Sequence, residues 1–194
     1  VLPHVARPRR DLRPAPTRRA ADPKTRDALE RALAINERAY GRDHPQVALT
    51  LTNLGGVYRV LGDNAKSRDM QERALAIFER AYGRDHTSVA TTLTCLGNAY
   101  GRLGDQAKKR DMLERALAIK VWAYGHDHVN VAQTLMNLGN AYMGLGDYAK
   151  QRDILERARA SKERAYGRDH TSVAITLNNL GAAYGALGDY AKKR

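Results

Sequence analysis

The stretch from Gly83 to Tyr124 recurs in nearly the same form on either side of itself, so the chain carries a period of 42 residues. Asp43, Asp85 and Asp127 stay in register with His44, His86 and His128, as do Leu51, Leu93 and Leu135 and Tyr58, Tyr100 and Tyr142. A chain built this way stacks copies of one supersecondary unit, each buried against its neighbours. Full units are expected at 41–82, 83–124 and 125–166, with a half unit at 24–40 and a partial one at 167–194. On this reading the array spans 23–194 and continues in a longer protein.

Within one unit, Val89, Ala90, Leu93, Leu96, Gly97, Tyr100 and Leu103 follow one another at steps that put them on one helical face. This is helix A. Gly104 suits the left-handed conformation that closes a helix, and Asp105 offers a carboxylate as N-cap to the next. Met112, Leu113, Ala116, Leu117, Ile119, Ala123 and Tyr124 form the second stripe, helix B, which closes at Gly125. Neither helix buries its stripe alone. Antiparallel pairs stacked in sequence do, so the expected fold is all-α, an α-solenoid of stacked antiparallel helix pairs.

Leu93, Leu96, Gly97 and Tyr100 in helix A with Ala116 in helix B resemble the packing pattern of the tetratricopeptide repeat. The unit length, the Tyr-Gly-x-Asp-His loop before Val-Ala-x-Thr-Leu, and the later Glu-Arg-Ala-Leu-Ala-Ile resemble the kinesin light chain type of that repeat, over residues 24–194. One departure concerns the early helix-B position that is usually small in the family. Here it holds Ser67, Lys109, Gln151 and Lys193, and the stem of Lys109 is expected to lie on the core with its ammonium reaching water.

Residues 1–22 hold four of the six prolines and six arginines against Asp11 and Asp22, with no apolar periodicity, and read as a disordered arm. The rest of the net +12 sits mainly on helix B, where Lys66, Lys108, Lys150 and Lys192 and Arg68, Arg110, Arg152 and Arg194 recur once per unit. Asp69–Arg73 and Arg68–Glu72 have the spacing of helix-surface ion pairs that neutralise this ridge. With no aromatic interleaving to stack bases, nucleic acid is not the expected partner. The single Cys95 fits a reducing, cytoplasmic setting, and no apolar run reaches the length of a membrane span.

Catalytic parts are missing. The sequence has no Gly-Lys dipeptide, no G-x-S-x-G and no H-E-x-x-H. His44, His86, His128 and His170 occur once per unit, and stacked units hold such residues about 10 Å apart, too far for one metal. They read as capping residues, Tyr58, Tyr100, Tyr142 and Tyr184 as core, and Cys95 as unactivated. No enzyme, cofactor or metal is expected.

What remains is a surface. The helix-A positions outside the core are those of 49, 52, 53, 56, 59 and 60 and their copies. The family resemblance implies that this side lines a concave groove holding an extended peptide or partner segment. Transferred position by position, the lining is Thr52, Asn53, Gly56, Arg59, Thr94, Cys95, Asn98, Arg102, Gln133, Met136, Asn137, Asn140, Met143, Asn178 and Asn179. A row of asparagine amides can pair with a peptide backbone, although asparagine in a helix also bonds its own neighbouring turn. Arg59 and Arg102 favour a ligand with an acidic residue. The lysine clamp of chaperone-binding relatives is absent, since Thr52, Thr94, Met136 and Asn178 stand where one lysine is expected. The leading expectation is a non-enzymatic protein-interaction scaffold. The alternatives are a sensor or structural array within a larger regulator, and a basic binder of nucleic acid or acidic surfaces.

Overall fold

A computed structural model describes residues 23–188 as helices joined by short turns; the proposed arm at 1–22 and Lys193 lie outside that range. The order is α1 (Pro23–Tyr40), α2 (Pro45–Leu61), α3 (Asn64–Tyr82), α4 (Thr87–Arg102), α5 (Gln106–Tyr124), α6 (Val129–Gly144), α7 (Tyr148–Tyr166) and α8 (Thr171–Ala186). Helices α2, α4, α6 and α8 are A-type, and α1, α3, α5 and α7 are B-type.

The caps recur with the period. His44, His86, His128 and His170 precede the A-helices in extended backbone, and each Nδ1 accepts the backbone N–H two residues on at 3.1–3.2 Å. Each imidazole also packs face to face or tilted on the last tyrosine of the preceding B-helix, as His86 does on Tyr82 at 4.6 Å. Asp63, Asp105 and Asp147 cap the B-helices by accepting from Lys66, Lys108 and Lys150 N–H. Those bonds hold the Asp63 and Asp147 carboxyls below their ordinary range. Gly104, at φ 91°, makes the left-handed step between the two helices of a unit.

Consecutive helices pack along the whole array. The core runs through unit boundaries: Leu51 and Ala74 share one cluster with Leu93 and Ala116, and Leu135 and Leu155 share another with Leu180. Gly55, Gly97 and Gly139 set the close approach of A to B within a unit. A β-carbon at 97 would stand 3.2 Å from Lys109 O and 3.3 Å from Leu113 Cγ. The A-helices α2 and α4, and α4 and α6, also approach one another directly, while α1 and α3, and α3 and α5, are joined by arginine–glutamate bridges.

Two expectations are corrected. At ion-pair distance Arg68 closes on Asp69 at 2.6 Å and Arg73 on Glu37 of α1, also at 2.6 Å, instead of each reaching four residues along its helix. Bridging to the preceding B-helix is favoured because Arg73 also donates to Arg42 O in the loop. Arg115 repeats this with Glu79 and Arg84 O. The tyrosines are only partly core. Tyr58 and Tyr142 are buried, Tyr100 and Tyr184 half-buried, and each hydroxyl donates to a B-helix glutamate of the preceding unit: Glu30, Glu72, Glu114 and Glu156. The ridge lysines are engaged as well, Lys66, Lys108 and Lys150 lying over the Tyr58, Tyr100 and Tyr142 rings at about 5 Å.

Candidate functional site

The A-helix positions left outside the core differ in what their side chains do. Thr52 and Thr94 turn their hydroxyls back to Ala48 O and Ala90 O at 2.9 and 2.8 Å. Asn53, Gln133 and Asn178 are exposed, and Asn98, Asn137, Asn140 and Asn179 half-exposed. Thr50, Thr92, Thr134 and Thr176 are buried, each hydroxyl donating to the carbonyl four residues back. Met136 departs from the expected lining: it is 5% exposed, with Thr176 Oγ1 3.3 Å from its sulfur. The thioether fills the junction between α6 and α8, where an apolar side chain is worth more buried.

Arg59, Asn98 and Arg102 come together. With Gly101 and Lys109 they line an open pocket of about 360 Å³ between the ends of α2 and α4 and the start of α5. Lys109, from the early helix-B position, lies across Gly101 and is half-buried, and burial holds its ammonium below the ordinary lysine range. Among the described residues no carboxylate pairs with Arg59, Arg102 or Lys109. Val60 of α2 holds the Arg102 position and Met143 of α6 the Arg59 position, and both are exposed.

Further lysines lie where sequence spacing did not point. Lys120 Nζ reaches Thr94 Oγ1 at 3.1 Å and Thr134 Oγ1 at 2.9 Å, and Lys162 Nζ reaches Thr176 Oγ1 at 3.1 Å and Ser172 O at 3.2 Å. Both replace Asn36 and Phe78 of earlier units, and the signal available was that substitution in the period. Burial lowers both ammonium groups. Cys95, expected to be unactivated, has Arg59 and Lys120 near it in space though not in sequence. Burial nevertheless outweighs them and raises the thiol above its ordinary range.

The B-helix α5 breaks the period on the other face. Val121 and Trp122 stand where the other units have Glu37-Arg38, Glu79-Arg80 and Glu163-Arg164. Trp122 is 83% exposed, and Asp85 beside it lacks the arginine that Asp43 finds in Arg80. Among the described residues no cluster of three or more His, Cys, Asp or Glu is placed to hold a metal, and no helix is long and apolar enough to cross a membrane.

A tetratricopeptide repeat model matches residues 46–121 and 130–192, and a second model of that repeat matches 24–46. A search of the curated proteins returns no match. Among solved structures, the nearly identical TPR-like repeats of a Podosopora anserina protein assigned as a kinesin light chain superpose with TM-score 0.81 at 21% identity, covering 92% of this chain and 84% of that one. BtubC (BKLC) from P. vanneervenii superposes with TM-score 0.80 at 24% identity, covering 88% and 68%. A Rap protein complexed with Competence and Sporulation Factor superposes with TM-score 0.70 at 18% identity, covering 91% and 46%.

Proposed function

The chain belongs to the tetratricopeptide repeat family, and from that premise we propose that it is a non-enzymatic scaffold holding an extended peptide or partner segment along its A-helices. Supporting this most directly are the amides of Asn98, Asn137 and Asn140. They are half-exposed on the A-helices α4 and α6 and, among the described residues, make no hydrogen bond to the protein. Amides left free in this way pair with a passing backbone through both donor and acceptor. Arg59 and Arg102 select an acidic residue through charge-assisted pairing, and the exposed Val60 and Met143, at equivalent positions of other A-helices, offer an apolar anchor. Asn53, Gln133, Asn178 and Asn179 extend the row toward the two ends, and Thr52 and Thr94 line it with methyl groups.

Peptides with an acid and an apolar anchor are expected to bind with micromolar affinity. The test is a peptide-library pull-down followed by calorimetry. Replacing Asn98 and Asn140 with Ala weakens binding at least about tenfold, since each amide lost from a desolvated groove costs up to ~3 kcal/mol. Lys66→Gln with Lys150→Gln, whose ammonium groups rest on tyrosine rings, leaves it nearly unchanged. If that pair loses binding and the asparagine pair keeps it, the groove is wrongly placed.

A further inference from the structure

We propose that the pocket of Arg59, Asn98, Gly101, Arg102 and Lys109 takes a doubly charged phosphoryl group, that of a phosphorylated serine or threonine in the bound peptide. The proposal rests on the groove reading for the path of the peptide backbone, while the anion site stands on its own residues.

Three cations line one pocket of about 360 Å³, and among the described residues none is neutralised by a carboxylate. By contrast, Arg73, Arg80, Arg115 and Arg164 each close on an acid. One ligand carboxylate carries a single charge and two oxygens, which leaves part of this set unanswered. A phosphoryl group carries nearly two charges and three acceptor oxygens, enough for two guanidinium groups, an ammonium and the Asn98 amide.

The cluster is a point. In the other units Arg59 is replaced by Gly101, Met143 and Gly185, and Arg102 by Val60, Gly144 and Ala186. Lys109 is replaced by Ser67 and Gln151; lysine returns at position 193, but there Gly185 and Ala186 stand in place of both arginines. A polynucleotide needs a basic track with stacking surfaces, and no aromatic side chain lines this pocket. Gly101 completes the arrangement. A β-carbon there would stand 2.5 Å from Lys109 Cδ, so only glycine lets the lysine stem lie across α4 with its ammonium at the pocket.

The test uses the full 194-residue chain and degenerate nonapeptides with a fixed central residue, read by fluorescence anisotropy at physiological salt. The phosphoserine library binds about tenfold or more tighter than the serine library, and severalfold tighter than the glutamate library. Inorganic phosphate competes. Arg59→Gln with Arg102→Gln abolishes the phosphoserine preference while the melting curve stays in place, as both side chains are exposed. Equal binding of glutamate and phosphoserine libraries overturns the phosphoryl assignment and leaves the groove reading intact. If Asn137→Ala with Asn140→Ala changes nothing while the arginine pair removes binding, the groove reading fails and the pocket stands. A uridine dodecamer that displaces the phosphopeptide at comparable concentration also overturns the proposal, since the site is then one for nucleic acid.

Discussion

Lys109 lies against Gly101 so closely that a β-carbon on residue 101 would be 2.5 Å from its Cδ and 3.4 Å from its Nζ. The conflicting atoms belong to a flexible side chain, so Gly101→Ala is expected to swing Lys109 into water. The helix gains about as much from alanine as the displaced stem loses, and stability moves by less than about 1 kcal/mol. Gly97→Ala meets the Lys109 carbonyl and the Leu113 and Met112 side chains instead, and is expected to cost about 1–3 kcal/mol. Urea denaturation of both variants checks the contrast, and equal losses would contradict it.

The tyrosine ladder sets an alkaline limit. The hydrogen bond to Glu72 pushes Tyr100 up to about 12, and burial followed by the bond to Glu114 does the same for Tyr142. Tyr58 and Tyr184 are raised too, first by their glutamates. A folded-state value above the unfolded one, about 10, means the unfolded chain loses its proton first. The contribution to stability is therefore complete below pH ~10 and lost as pH rises toward ~12. Absorbance titration should show these tyrosines ionising after the exposed ones, together with falling helicity, and Glu72→Gln should bring Tyr100 forward.

The histidine caps act through Nδ1 as acceptor. His86→Ala removes the bond from Ser88 N–H and the packing on Tyr82, and is expected to destabilise by about 1 kcal/mol, while His86→Asn retains most of the cap. Thermal melts of the two variants separate these outcomes.

Trp122→Arg restores at α5 the arginine that lets Arg80 pair with Asp43 at 2.7 Å and Arg164 pair with Asp127. Asp85 becomes its partner, for a gain of about 0–1 kcal/mol that high salt removes. A gain that survives Asp85→Asn would show that removing the exposed indole, and not the ion pair, is responsible.

Deleting 125–166 removes one period and joins equivalent positions. Because each unit contacts only its neighbours, the shortened chain is expected to stay helical at room temperature and to melt earlier. Circular dichroism checks this, and loss of all helicity would contradict it.

The period, the helix pairs and their caps were legible in the letters, because local rules decide them: apolar spacing for the stripe of Leu93 and Leu96, glycine for the turn at Gly104, an aspartate for the cap at Asp105. The repeat itself told which positions are equivalent, so Asn98 and Asn140 stood out on the side that the core leaves free. The tertiary structure decided what spacing along one helix leaves open. Arg73 spans to Glu37 on another helix, Met136 turns inward because α8 covers it, and Cys95 finds Arg59 and Lys120 beside it. Lys109 joins Arg59 and Arg102 at one pocket although they come from three helices. Such meetings depend on the angle and distance at which units stack, and those are set by packing at Gly55, Gly97 and Gly139 summed over neighbours, a property of the array that no single unit contains.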